Sequence, residues 1–205
     1  MAWASSSIIE DIDGIRKLGL ASMAFFYCDF REEQKKDSRG LLSSWLVQLS
    51  HQSDAYSHIL SNFYLEHSNG LRQPSDDALV ECLKEILKLP GHAPVYLILD
   101  GLDECPMTSS LSPPRDKVLM VVENLSDSQF PNTRICITSR PETDIKAVLY
   151  PFTFRSTSLH DASGQMEDIN NYIKFVVNTD RMMRRWKTTD KQLVIDVLTN
   201  KADGM

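Results

Sequence analysis

The chain has 205 residues, of which 42% are hydrophobic and 24% are charged, and its formal net charge is -6. These proportions are typical of a globular protein and exclude collagen-like, coiled-coil and wholly disordered chains. The acidic balance argues against nucleic acid or an anionic membrane surface as the main partner, because both favour basic patches.

The four cysteines are widely spaced, and no C-x-x-C pair occurs. This spacing excludes the usual zinc sites and favours a reducing compartment. The N-terminus lacks the features of a secretory signal, and no run of about 18 apolar residues is present to span a bilayer. We therefore expect a cytoplasmic protein that has no membrane or nucleic acid partner.

Hydrophobic periodicity predicts an alternation of helices and strands. In chain order it predicts a helix over residues 7–18, a strand over 23–28, a helix over 41–49 with Ser38 as N-cap, a helix around 59–65, a helix over 79–87 with Ser75 as N-cap, a strand over 95–100, a Ser- and Pro-rich loop over 106–114, a helix over 118–125, a strand over 134–138 and a weaker strand over 152–157. This order predicts an α/β fold with a parallel sheet covered on both faces. Beyond Leu159 two apolar stripes indicate helices only.

Three acids follow the most apolar of the predicted strands. Residues 95–99 are apolar, and Asp100, Asp103 and Glu104 come directly after them. Acids at the end of a buried strand can hold hydrated magnesium and position a water for phosphoryl transfer. Two alternatives stay open, namely ordinary solvated acids in a polar turn and a metal-dependent nuclease, although the chain has no basic track for nucleic acid.

A second polar segment follows the next predicted strand. Thr138, Ser139 and Arg140 end the strand over 134–138. In a parallel sheet this end lies at the same edge as the acids, where a guanidinium can bind a phosphate through its planar fork. An arginine after a strand is otherwise most often a surface residue or an ion-pair partner.

The two segments together resemble the Walker B and sensor 1 segments of a NACHT domain, in the STAND class of signalling P-loop NTPases. The resemblance rests on residues 97–105 and 134–142, takes in residues 25–30 with the following helix, and is closest to fungal receptors of the NLR-like type. It implies that Asp100 is associated with Mg²⁺, that Asp103 and Glu104 are catalytic, and that Arg140, Ser139 and Thr138 bind the nucleotide. It also implies a P-loop NTPase-like three-layer fold, ATP or GTP as ligand, and the other domains of a larger receptor or oligomer as partners.

The phosphate loop of that family is missing from the sequence. No G-x-x-x-x-G-K-[ST] motif occurs, and only four residues precede the stretch that resembles the helix after the loop. The expectation is therefore a truncated piece, with a partial NACHT nucleotide-binding domain over residues 1–160, lacking the Walker A strand, and the start of a helical segment over 161–205. We expect no hydrolysis by this chain itself. The alternative function is a non-catalytic protein-interaction module, or pseudo-NTPase remnant, that pairs through open strand edges.

Overall fold

The structure is a computed structural model that describes residues 2–107, 112–127, 130–158 and 165–202. The chain divides into two compact units, one ending at Thr153 and the other beginning at Phe154. None of the helices in the described ranges has the length and apolar character that crossing a membrane requires.

The first unit alternates helices with strands, as the periodicity predicts. Its elements are α1 (Ala2–Lys17), β1 (Ser22–Tyr27), α2 (Ser38–Ser50), α3 (Asp54–Glu66), α4 (Asp76–Lys88), β2 (Val95–Asp100), α5 (Pro114–Asp127), β3 (Thr133–Ile137) and α6 (Thr143–Leu149). Most of these helices bury one apolar face. In α2, for example, Leu41, Leu42, Trp45, Leu46 and Leu49 recur at helical spacing and are buried.

The three strands form one parallel sheet in the order β1-β2-β3. Alternate residues of the strands point to opposite faces. Ala24 and Leu97 join the larger core, which is built with residues of α2 to α6. Met23 and Ile98 face the other way and pack with Ile12 of α1. The unit is therefore a three-layer α/β structure, and the predicted fold class is confirmed.

The outer edge of β1 is covered by two glutamine side chains, Gln48 of α2 and Gln52 in the turn after it. Gln48 donates to Phe25 O (2.7 Å) and accepts from Phe25 N (3.0 Å). Gln52 does the same for Met23, at 2.6 Å to its O and 2.9 Å from its N. Each amide reproduces the pair of hydrogen bonds that a neighbouring strand residue would make. The backbone of this edge is therefore already bonded at Met23 and Phe25.

The opposite edge of the sheet belongs to β3. Val95 N donates to Asn132 O at 2.8 Å, and Thr138 N donates to Leu99 O at 2.9 Å. The backbone N–H and C=O groups of the even-numbered residues of β3 therefore point toward β2. Those of Ile135 and Ile137 point to the other side. No strand in the described ranges pairs with β3 on that side.

Three sequence predictions need correction. The strand predicted over 152–157 is wrong: Tyr150–Phe152 is a short 3₁₀ helix, and residues 153–158 form no strand. Ser38 is the first residue of α2, and the N-cap is Asp37, whose side chain accepts from Gly40 N. Helix α6 is not predicted from the sequence at all. In contrast, Ser75 caps α4 as predicted, by accepting from Ala78 N.

The second unit consists mainly of helices from Gln165 to Ala202. It contains α7 (Gln165–Thr179), a 3₁₀ turn (Met183–Arg185) and α8 (Thr188–Ala202). Val177 of α7 and Ile195 of α8 are buried. The two predicted helices are present, while the boundary predicted at 160/161 lies in residues 159–164, outside the described ranges.

Candidate functional site

All three strands of the sheet end at the same edge, and each is followed by polar residues. Asp29 follows β1, Asp100 to Glu104 lie at and after the end of β2, and Thr138 to Arg140 follow β3. Because the strands are parallel, these loops are neighbours. The candidate site is this carboxyl edge.

Asp100 is braced by a hydroxyl of the neighbouring strand end. It is only 8% exposed, and the Thr138 hydroxyl donates a hydrogen bond to its Oδ1. The same Thr138 oxygen accepts from Gly101 N at 3.1 Å. Gly101 has φ of +70°, which a residue with a side chain would adopt only with strain. The tight turn at Gly101 therefore lets the backbone reach Thr138 directly after the buried acid.

Asp103 and Arg140 connect the loops that follow β2 and β3. Arg140 N donates to Asp103 Oδ1 at 3.0 Å, and Arg140 Nε lies 3.3 Å from Asp103 Oδ2. The Asp103 side chain is 6% exposed, whereas the Arg140 side chain is 75% exposed. Asp103 is therefore a buried carboxylate that holds the loop after β3, and its partner Arg140 remains accessible to a ligand from solvent.

The remaining predicted site residues are more loosely placed. Glu104 is exposed, and its carboxylate accepts no hydrogen bond from any described residue. The Ser139 hydroxyl donates to the Arg140 carbonyl at 2.8 Å, within its own loop. The structure thus joins Asp100 to Thr138 and Asp103 to Arg140, and within the described ranges no hydrogen bond holds the Glu104 carboxylate.

Asp29 and Arg31 form an ion pair at the same edge, which the site prediction did not include. Arg31 donates to Asp29 through Nε (2.9 Å), Nη2 (2.7 Å) and its backbone N (2.9 Å). These hydrogen bonds lower the pKa of Asp29 to about 2. Arg31 is also attracted electrostatically by Glu104. The position directly after a parallel strand is the signal that could have found this pair.

Arg115 is a buried connection between the two loops that carry the predicted site. It lies in the first turn of α5, and its side chain is 7% exposed. Its Nε donates to Cys105 O (2.9 Å) and its Nη2 to Asp103 O (2.6 Å).

Two carboxylates beyond β3 complete this cluster. Arg115 Nη1 donates to Glu142, and it lies 3.1 Å from Asp144 Oδ2. Sequence reasoning missed Arg115, although a cation at a helix N-terminus opposes the helix dipole and so indicates local carboxylate partners. Together with Asp103 and Arg140, Arg115 ties the acid-bearing turn to the segment after β3.

The oxygen ligands at the carboxyl edge are too few for a preformed metal centre. They fit a magnesium ion that brings phosphate oxygens as further ligands. Within the described ranges, no three His, Cys, Asp or Glu side chains converge on a point that could hold a metal. Asp100 Oδ2 accepts no hydrogen bond from the described residues, so one oxygen of this largely buried residue is available. Mg²⁺ is commonly held through one or two carboxylates, waters and substrate phosphates. Asp100 is the residue that would hold it here.

A protein-family model matches most of the first unit. The family model described as "Nephrocystin 3, N-terminal" matches residues 3–140, which is more than half of the chain. The matched span ends at Arg140 and contains Asp100, Asp103, Glu104, Thr138 and Ser139. The match is to this family and not to a NACHT model, so the NACHT resemblance stays a prediction.

Two further comparisons, one with curated proteins and one with solved structures, find no match. The family match therefore stands on its own, and it covers the sheet, the helices up to α5 and all the residues of the candidate site. The chain belongs to the nephrocystin 3 N-terminal family.

Proposed function

We propose that this chain is part of a NACHT-type nucleotide-binding domain, in which the carboxyl edge of the sheet receives a magnesium nucleotide for signalling. The observation that carries the proposal is the buried Asp100, held by Thr138 at the end of the central strand with one oxygen available. Burying a carboxylate without a charged partner is costly, and no cation of the described residues pairs with Asp100, so its position favours a role outside packing.

The site residues would divide the work of binding. Asp100 would hold magnesium through water, and Arg140 would turn from Asp103 toward the outermost phosphate. The exposure of the guanidinium makes that exchange feasible, because its Nε lies 3.3 Å from Asp103 Oδ2 while 75% of the Arg140 side chain is exposed. The Arg140 N–H would keep Asp103 in place during the exchange. Thr138 would hold the Asp100 carboxylate in position by its hydrogen bond. Ser139, in the same loop, would offer its hydroxyl to the nucleotide.

Glu104 is the better placed of the two proposed catalytic acids. It is exposed and not hydrogen-bonded to the described residues, whereas Asp103 is occupied by Arg140. In a complete site Glu104 would orient or deprotonate the attacking water. The sequence carries no phosphate loop, and its backbone N–H groups and lysine supply much of the phosphate affinity. Without that loop, we propose nucleotide binding through the residues of the carboxyl edge alone, and we expect no hydrolysis by this chain.

The test is a titration of the 205-residue chain with fluorescent ATP and GTP analogues, with and without magnesium. We expect saturable, magnesium-dependent binding. Arg140→Ala should weaken the triphosphate at least about 10-fold more than the diphosphate, since a hydrogen bond to a charged group contributes roughly 1.5–3 kcal/mol.

Two matched variants complete that titration. Glu104→Gln should not weaken binding of either nucleotide, because it removes a water-positioning acid that contacts no phosphate. Arg134→Ala removes an exposed arginine of β3 that donates to the backbone carbonyls of Pro131 and Thr133, and this variant should also bind both nucleotides normally. Equal losses of triphosphate and diphosphate in Arg140→Ala would make this residue a structural partner of Asp103.

The second candidate is a protein-interaction module, which is favoured by the outer edge of β3, where no strand of the described residues pairs. The β1 edge is closed by Gln48 and Gln52, whereas Ile135 and Ile137 direct backbone groups away from the sheet. An edge of this kind can accept a strand from another chain.

For this candidate we expect association on size-exclusion chromatography over a range of concentrations. Amide hydrogen exchange at Ile135 and Ile137 should slow as the complex forms. A monomer at every concentration, with rapid exchange at both residues and no bound protein, would count against this function.

A further inference from the structure

Two cysteines lie sulfur to sulfur beneath the acid-bearing turn. Cys28 directly follows β1 and Cys105 directly follows the 3₁₀ turn Leu102–Glu104. The Cys105 thiol donates to the Cys28 sulfur, with the two Sγ atoms 3.2 Å apart. Their exposed fractions are 6% for Cys28 and 0% for Cys105. Neither is in a disulfide in the structure.

The parallel pairing of β1 and β2 fixes this juxtaposition. Cys28 N donates to Asp100 O at 2.9 Å, which continues the ladder one residue beyond β1. Cys105 is held from the other side, because its carbonyl accepts from Arg115 and its N–H donates to Leu102 O at 3.1 Å. The sulfurs are therefore held together by backbone on both sides and do not meet through a mobile terminus.

We propose that Cys28 and Cys105 are a site of reversible disulfide formation, with hydrogen peroxide as the oxidant. A disulfide has an S–S length of about 2.05 Å, so the sulfurs need to approach by roughly 1.2 Å. Rotation about the two side chains can supply a movement of that size without breaking the sheet. The proposal does not depend on nucleotide binding.

The chemistry takes two steps and transfers two electrons. The Cys28 sulfur, the more accessible of the two, attacks peroxide; an S–O bond forms, the O–O bond breaks, and water leaves with a sulfenic acid remaining on Cys28. The Cys105 sulfur then attacks the Cys28 sulfur; the S–S bond forms, the S–O bond breaks, and a second water leaves. A dithiol reductant then reduces the Cys28–Cys105 disulfide back to two thiols and is itself oxidised to a disulfide.

The surroundings make this a slow reaction at neutral pH. The adjacent Cys105 thiol, with which Cys28 shares a proton-bearing contact, and burial raise the pKa of the Cys28 thiol, and the negative charges of Asp100 and Glu104 add to the effect. Thiolate is the reactive form, so the pair stays reduced during brief exposure to oxidant. Peroxide is small enough to reach a side chain with a few per cent of its surface exposed.

The experiment uses the whole folded chain. The protein is incubated with excess peroxide, freed of oxidant, unfolded in an alkylating reagent and digested without reductant for mass spectrometry. We expect one cross-linked pair of peptides that contains Cys28 and Cys105, is lighter than the two reduced peptides by two hydrogens, and disappears after dithiothreitol. The melting temperature of the oxidised chain should rise by about 5 °C or more, because the bond closes a long loop.

The other two cysteines are internal controls. Cys82 in α4 is buried and Cys136 in β3 is half-buried. Both should be recovered alkylated, and Cys136→Ser should still form the bond, while Cys28→Ser and Cys105→Ser should not. Recovery of Cys28 and Cys105 as free or separately oxidised residues in the wild-type chain would overturn the proposal. So would pairing with Cys82 or Cys136 to the same extent.

Discussion

Replacing Arg115 with methionine should lower the free energy of unfolding by about 2–4 kcal/mol, because it leaves buried hydrogen-bond acceptors without a donor. Arg115 is 7% exposed and serves the carbonyls of Asp103 and Cys105 together with the carboxylates of Glu142 and Asp144. Methionine keeps most of the apolar stem and removes all of these donors. Denaturant unfolding followed by circular dichroism and by fluorescence of the buried Trp45 measures the loss.

Arg134→Met is the matched control for this prediction. Arg134 is also an arginine that donates to backbone carbonyls, those of Pro131 and Thr133, but it is exposed. Exposed groups exchange protein partners for water at little cost, so this variant should lose less than about 1 kcal/mol. A similar small loss in Arg115→Met would mean that the buried cluster does not hold the two loops together.

The pH dependence of the Arg115 effect gives a second check. Burial raises the pKa of Asp144, but hydrogen bonds from Arg115 and from the backbone N–H groups of Ile145 and Asp144 outweigh it, and the pKa lies below its ordinary value of 3.8. A lowered folded pKa adds stability above the unfolded pKa and loses it as pH falls through the folded value. The gap between wild type and Arg115→Met should therefore narrow below pH 3.8. If the difference in unfolding free energy stays constant with pH, the stabilisation by Arg115 comes from its hydrogen bonds to the carbonyls of Asp103 and Cys105 alone.

The central strand and its acids were predictable from sequence because their signal is local. Five apolar residues in a row, buried on both faces, are typical of an inner parallel strand, and the change to Asp100 marks its end. Helix α4 was predictable for a similar reason, since its cap, first-turn acids and apolar face agree. Where several local preferences point the same way, the fold follows them.

The sequence predictions fail where the local structure depends on contacts with residues distant in sequence or on a choice between adjacent residues. The segment over 152–157 contains alternating aromatic residues, but a strand needs a partner, and Phe154 is fully exposed. Helix α6 has seven residues and buries only Ile145, too little for a periodic pattern. At α2, Asp37 and Ser38 are both good caps, and local sequence does not decide between adjacent candidates.

The sequence predicts at which edge of the sheet the site residues lie, but it does not predict which side chains contact each other there. Parallel strands bring Asp100, Asp103 and Arg140 to the same edge whatever their side chains do. The pairing of Asp103 with Arg140 and the burial of Arg115 depend instead on how two loops and α5 pack. The same holds for Cys28 and Cys105, which are far apart in sequence and meet only through strand register.

Asp100→Asn should separate the binding role of this residue from its structural role. We expect magnesium-dependent nucleotide affinity to fall at least about 10-fold, because the variant removes the charge that would hold the metal. The free energy of unfolding should stay within about 1 kcal/mol of wild type or rise, since asparagine keeps an oxygen for the Thr138 hydroxyl and removes a buried charge. Nucleotide titration and denaturant unfolding of the same preparation measure both quantities.

Asp76→Asn is the control that should show the opposite pattern. Asp76 accepts from the Ser38 hydroxyl at 2.6 Å and from Arg39 at 2.8 Å, where α4 meets α2, and it lies outside the candidate site. Its charge strengthens hydrogen bonds within the protein, so its loss should lower stability by roughly 1 kcal/mol and leave nucleotide binding unchanged. If Asp100→Asn instead behaves like Asp76→Asn, then Asp100 braces the strand end and the carboxyl edge is not a magnesium site. If the two variants diverge as expected, the chain carries a buried carboxylate that its fold does not need, and binding is the explanation that accounts for it.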